Sequence, residues 1–216
     1  MYKIVVFDLD GTLANTVEDL ADAVNFGLEN AGLHTYSVEA YKQMVGNGIV
    51  NLVKKAIYPN ADEEIFDRVK SDFDFYYNAH SIEKTTAYEG TSELLKYLAE
   101  KKIMTAVLSN KPDKFVAQIL SKLFPNHKFD YAWGKKEEYP IKPNPQSLFA
   151  ILNKAGIEKS ECLYVGDSNV DCQTAQNAGV KCCGVSWGFR GRKELEDAGA
   201  DIVVDTPMEI IEEFGI

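Results

Sequence analysis

A chain of 216 residues with 45% hydrophobic and 26% charged side chains has room for one sizeable domain, or for a domain carrying a smaller insert, and has an ordinary soluble composition. Its formal net charge of −10 and pI near 4.9 exclude the basic face that nucleic-acid binding needs and disfavour an anionic membrane surface. No apolar run nears the ~20 residues of a bilayer span, and no signal peptide precedes the first strand-like run.

That first run is Lys3-Ile4-Val5-Val6-Phe7-Asp8-Leu9-Asp10-Gly11-Thr12. A β-branched apolar segment closed by a glycine turn predicts a buried parallel strand. Ligand crevices of open α/β sheets lie at the carboxyl ends of strands, where Asp8 and Asp10 would emerge. Two carboxylates there suit a hard divalent cation, and one of them can attack an electrophile. Aspartate is also common where strands end in turns, so the motif needs partners.

Between Thr16 and Ser81 helical periodicity replaces strand-like runs. Thr16-x-x-Asp19 reads as a capping box opening a helix that stops at Ala31-Gly32. Further helices are expected over 38–45, 49–57 and 62–79. A helical insert after a first strand reads as a cap over a core, here 15–83 over 1–14 and 84–216; such inserts exclude water and add specificity. Within it, Gly46, Asn47 and Gly48 precede a helical pattern. Their amides can form an anion nest, the glycines can simply make a tight turn, or both hold. Lys54 and Lys55 read as a solvated helix face, with substrate contact left open.

From about residue 85 the runs Ile103–Leu108, Phe129–Trp133, Leu163–Val165, Val180–Val185 and Ile202–Val204 alternate with amphipathic stretches. That alternation predicts a three-layer α/β/α, Rossmann-like parallel sheet. Three of its junctions carry chemistry. Ser109-Asn110-Lys111-Pro112 offers a hydroxyl and backbone N–H groups to phosphate oxygens, or only an N-cap serine. Lys142, stiffened by Pro143 and Pro145, can aim an ammonium at developing negative charge, or lie solvated. Gly166-Asp167-Ser168-Asn169-Val170-Asp171 sets two carboxylates on one side of a helix start, suiting a metal site or helix capping. Cys162, Cys172, Cys182 and Cys183 form no Cys-x-x-Cys pair, and read as reduced packing residues of a cytoplasmic protein. His34, His80 and His127 show no metal spacing and read as surface residues.

With these four motifs in this order, the chain resembles the haloacid dehalogenase superfamily of phosphatases, over its whole length. The insert is similar to the small helical cap of the phosphoglycolate phosphatase and β-phosphoglucomutase branch. Val45-Gly46-Asn47-Gly48, Ser109-Asn110-Lys111-Pro112 and Trp187-Gly188-Phe189-Arg190 are similar to phosphoglycolate phosphatases. Asn15 departs from relatives that place an aspartate there, outside the chemistry.

The resemblance implies hydrolysis of a small phosphorylated metabolite, best matched by 2-phosphoglycolate, through an aspartyl phosphate on Asp8. It implies Asp10 as acid and then base, Ser109 and Asn110 as phosphate holders, and Lys142 as the cation on the phosphoryl oxygens, with Thr12 adding a hydroxyl. Mg²⁺ would sit between Asp8, the Asp10 carbonyl and Asp167, with Asp171 behind it. The Gly46–Gly48 turn would then face the substrate carboxylate. Substrate contact and structural ion pairing both remain open for Arg190. A phosphohexomutase, a pyrophosphatase and a non-catalytic phosphate binder of the same fold are the alternatives, with a monomer or homodimer in each case.

Overall fold

The computed structural model describes residues 1–60 and 62–216, which divide into two compact units, Met1–Asn15 with Ala87–Ile216, and Thr16–Thr86. The first unit is built on a six-stranded sheet. Its strands are β1 (Ile4–Phe7), β4 (Met104–Pro112), β5 (Tyr131–Lys135), β6 (Cys162–Gly166), β7 (Lys181–Val185) and β8 (Ile202–Val204). Two two-residue strands, β2 (Ala14–Asn15) and β3 (Thr86–Ala87), pair separately.

The order is β5-β4-β1-β6-β7-β8, and all pairs are parallel. The chain therefore winds outward from β1 in one direction, returns, and winds outward in the other. That makes the ends of β4, β1 and β6 the switch point at which such sheets bind ligands. Phe7 pairs in register with Val107 of β4 and Val165 of β6, so the residues that follow all three leave the sheet on one edge.

Strand β1 is central because every residue in it is apolar and can be buried on both faces. Ile4 and Val6 face a cluster with Ala106, Leu108 and Tyr164 of the sheet and Leu148, Ile151 and Leu152 of α7 (Gln146–Ala155). Cys172 and Ala175 of α8 (Asn169–Ala178), Cys162 and Cys182 complete it, so these three cysteines are core packing. Cys183 is equally buried, and all four are free. The other helices are α5 (Thr91–Glu100), α6 (Asp113–Leu123), α9 (Arg192–Asp197) and α10 (Glu209–Phe214). Among the described residues no helix is long and apolar enough to cross a membrane.

The second unit holds α1 (Val17–Asn30), α2 (Val38–Lys42), α3 (Gly48–Ile57) and α4 (Glu63–His80). Leu20, Val24 and Leu28 of α1 are buried, as are Val69, Phe73 and Tyr77 of α4. The two helices meet at Gly27, where a Cβ would stand 2.7 Å from the Val69 carbonyl oxygen.

Three local expectations change. Helix α2 ends at Lys42 rather than at 45, because residues 43–46 form turns that close on Gly46 at positive φ. Thr16 makes no side-chain cap bond at the start of α1. The carboxylate of Asp19 is engaged elsewhere: it accepts from the amides of Lys84 and Thr85 and from Thr85 Oγ1 at 2.6 Å. A buried returning chain presents three donors to it at once, and that need outweighs a local cap. Lastly, His127 is half-buried, with Nε2 2.9 Å from Thr105 Oγ1, and burial pushes its pKa down.

Candidate active site

Leu9-Asp10-Gly11-Thr12 wraps into a tight turn directly beyond β1, with the amides of Thr12, Leu13 and Ala14 all donating to the Leu9 carbonyl. Gly11 adopts φ +88°, and a Cβ there would lie 2.1 Å from Asp167 Oδ2. Only glycine tolerates both conditions, so the turn can press against the carboxylate arriving from β6.

Three carboxylates meet at this edge. Asp8, Asp167 and Asp171 are buried, and each offers an oxygen within 4.8 Å of the others. Lys142 is 3% exposed, and its Nζ lies 2.9 Å from Asp8 Oδ1 and 2.8 Å from Asp171 Oδ1. Asp171 also accepts from the Ser168 amide and hydroxyl through Oδ2 and from Tyr164 Oη at 3.3 Å. It therefore caps α8, one of the roles open to it in the sequence, and also holds Lys142.

Asp167 is held from another side. Phe189 donates its amide to Oδ2 at 2.7 Å, and Gly188 lets that loop pass. A Cβ on Gly188 would lie 2.3 Å from Asp167 Cβ and 2.4 Å from the Gly11 carbonyl oxygen. Next to it, Trp187 Nε1 donates to the Thr12 carbonyl at 3.1 Å. Arg190 pairs with Glu194 at 3.7 Å.

Strand β4 does not stop at Leu108; it continues through Ser109, Asn110 and Lys111 to Pro112, which pairs with Lys135. Helix α6 starts after Pro112, so Ser109 is not an N-cap. Ser109 and Asn110 lie two and three residues beyond Val107, the partner of Phe7, and are buried beside the site. The Asn110 side chain clamps Lys142 at both backbone groups, accepting from its N–H at 2.8 Å and donating to its carbonyl at 3.1 Å. Thr12 Oγ1 is buried and finds no hydrogen-bond partner among the described residues.

One group was missed in reading the sequence. Lys111 is buried, and its Nζ lies 2.9 Å from Asp10 Oδ1. Its only sequence signal was its position beside Asn110, which an exposed lysine would share.

Burial raises the Asp8 pKa to about 7 and that of Asp167 well above the carboxylate range. The charge of Lys142 opposes both shifts, while Asp171 reinforces them. Burial works against the Lys142 ammonium too, yet Asp171 and Asp8 outweigh it and hold its pKa well above normal. Four carboxylates, Asp8, Asp10, Asp167 and Asp171, thus face two ammoniums. One dication balances the excess, and three clustered carboxylates are the oxygen donors that Mg²⁺ takes.

Gly46, Asn47 and Gly48 lie in the second unit, at the start of α3. Both glycines have positive φ, +121° and +78°, and the Asn47 carbonyl accepts from Asn51 Nδ2. Lys55 Nζ bonds the Met44 carbonyl at 3.1 Å, and Lys54 lies over the Phe66 ring.

Residues 5–185 match the profile of the haloacid dehalogenase-like hydrolases. A phosphoglycolate phosphatase of Pseudomonas fluorescens is 34% identical over 213 residues, covering 97% of this chain and 78% of that protein. A crystal structure from Lactobacillus delbrueckii subsp. bulgaricus superimposes with a TM-score of 0.92 at 33% identity, over 98% of both chains. Another, of a predicted phosphoglycolate phosphatase from Haemophilus somnus, gives 0.91 at 30% identity, over 99% of this chain and 98% of that one.

Proposed function

This chain belongs to the haloacid dehalogenase-like hydrolases and is a phosphatase, and on that premise we propose that it is a Mg²⁺-dependent enzyme hydrolysing 2-phosphoglycolate through an aspartyl phosphate on Asp8. The observation that carries this reading is the meeting of Asp8, Asp167 and Asp171 around one point, with Lys142 bridging Asp8 and Asp171.

In the first step an Asp8 oxygen attacks phosphorus while the ester P–O bond breaks, and Asp10 gives its proton to the departing oxygen. In the second, water attacks the phosphorus of the aspartyl phosphate, Asp10 takes its proton, and phosphate leaves with Asp8 restored. Lys142 neutralises phosphoryl oxygens and, through Asp171, stays fixed while it does so. The Ser109 hydroxyl, the Asn110 amide and the unpartnered Thr12 hydroxyl hold the phosphate. Asp8, the Asp10 carbonyl and Asp167, with Asp171 behind them, would hold a divalent cation, which would supply charge that relieves repulsion between nucleophile and phosphate.

We infer that Thr16–Thr86 serves as the cap and that its Gly46-Asn47-Gly48 turn presents amides to the substrate carboxylate, a reading supported by the positive φ of both glycines. A cytoplasmic location is supported by four reduced, buried cysteines. A non-catalytic binder would have no use for Asp8, Asp10, Asp167 and Lys142 together.

The test is Mg²⁺-dependent phosphate release from 2-phosphoglycolate beside a panel of small phosphate esters, with Asp8→Asn as the blank. Preference for 2-phosphoglycolate supports the substrate, and turnover of other esters alone removes it. Substantial activity in Asp8→Asn would sink the nucleophile assignment.

A further inference from the structure

We propose that Lys111 is a positioning residue for proton transfer: its ammonium holds Oδ1 of the Asp10 carboxyl group, so that the proton carried on Oδ2 is aimed at the leaving oxygen. The proposal rests on the reading of Asp10 as the acid.

Lysine is among the residues least often buried, because its ammonium loses its hydration unless a partner replaces it. Lys111 is 4% exposed, and its Nζ donates to Asp10 Oδ1 at 2.9 Å. The two buried ammoniums divide the carboxylates between them. Lys142 takes Asp8 and Asp171, and Lys111 takes Asp10.

The backbone is built to hold Lys111 at that point. It lies at the bulged end of β4, in a segment tied to β5 on either side by the pairs Leu108 with Trp133 and Pro112 with Lys135. Its amide donates to Ser109 Oγ at 3.3 Å. On the other side, Gly134 of β5 packs so closely that a Cβ there would lie 2.4 Å from the Lys111 carbonyl oxygen. The Gly134 amide in turn donates to Asp113 Oδ1 at 2.8 Å. A buried point charge on a backbone tethered at both ends can fix a group with a soft terminal torsion. The carboxylate of aspartate rotates in a broad well about χ2, and proton transfer needs one oxygen aimed at the leaving atom.

The leaving group separates positioning from mere packing. An alkoxide leaves only with a proton, whereas p-nitrophenolate leaves without one. For an aspartyl-phosphate enzyme kcat/KM reports on steps up to ester cleavage, so the later role of Asp10 as base does not enter. Wild type, Lys111→Met and Asp10→Asn are compared on 2-phosphoglycolate, or on whichever alkyl phosphate the wild type cleaves best, and on p-nitrophenyl phosphate. Thermal melts check folding, and Lys111→Gln replaces Lys111→Met if the latter does not fold.

Lys111→Met is expected to lose about 10–100-fold in kcat/KM on the alkyl ester and less than about threefold on the aryl ester, following Asp10→Asn in pattern. Equal losses on both esters would overturn the proposal, since a packing defect or a lost phosphate contact acts on both alike. Unchanged kinetics would overturn it as well. If Asp10→Asn itself shows no dependence on the leaving group, the reading of Asp10 as acid fails instead, and a wild type inert on every ester removes the reaction altogether.

Discussion

The backbone amide of Phe189 reaches Asp167 Oδ2 at 2.7 Å only because Gly188, the residue before it, has no side chain. A methyl group at Gly188 would overlap Asp167 Cβ and the Gly11 carbonyl together. Gly188→Ala is therefore expected to turn the Asp167 carboxylate and, at the proposed metal site, weaken Mg²⁺ binding by about 10–100-fold, the usual effect of disturbing groups that orient a metal ligand. Calorimetric titration with Mg²⁺ checks this. An unchanged affinity would mean that the loop yields and the carboxylate does not.

Asp8 supplies a pH dependence with a definite sign. Its pKa lies at about 7 in the folded protein against 3.8 for an unperturbed aspartate. The native state thus keeps a proton that the unfolded chain releases, and its contribution to stability is full below the unfolded value and lost as pH rises through about 7. Metal-free protein should lose melting temperature between about pH 5 and pH 8 more steeply than Asp8→Asn does. Saturating Mg²⁺ should remove the difference, because the ionised carboxylate then faces a cation. Identical slopes for the two metal-free proteins would contradict the raised pKa.

Asn110 holds Lys142 by both of its backbone groups, so Asn110→Ala leaves a buried N–H and a buried carbonyl without that partner. The expected cost is about 1–3 kcal/mol for each group left unpaired. Urea unfolding measures it, and kcat should fall with it because the loop carrying the ammonium is released. A variant as stable as the wild type would show that water replaces the clamp.

In the second unit, Gly27→Ala would place a methyl 2.7 Å from the Val69 carbonyl oxygen, which is backbone and cannot swing away. Helices α1 and α4 must then separate. A destabilisation of about 1–3 kcal/mol is expected by thermal melting. A neutral result would mean that the two helices slide at little cost.

The sheet was legible because β1, β6, β7 and β8 are short apolar runs that end where their polar residues begin. Strand β4 hid its last four residues, since Ser109, Asn110, Lys111 and Pro112 look like a turn by type; they bulge out of register between Leu108 and Pro112, which rejoins β5 opposite Lys135. Spacing alone also could not reveal that Asp19 serves Lys84 and Thr85, or that Lys111 reaches Asp10, because both are contacts between distant segments. Asp8, Asp10 and Asp167 stood out for the opposite reason, each sitting just beyond a recognisable strand, whereas Lys142 was marked by the prolines that follow it in the turn before α7.

The position of β1 between β4 and β6 has a consequence for synthesis. Translation delivers β1 first, yet one of its edges stays bare until Cys162–Gly166 has left the ribosome. During that interval the nascent chain carries a wholly apolar strand with an open edge, the kind of surface that recruits other strands. Asp8 meanwhile waits without Asp167 and Asp171, which follow β6 in the chain. Closure of the second edge of β1 and delivery of Asp167 and Asp171 therefore fall in the same short stretch of translation, and a ribosome that stalls before Cys162 leaves that edge open.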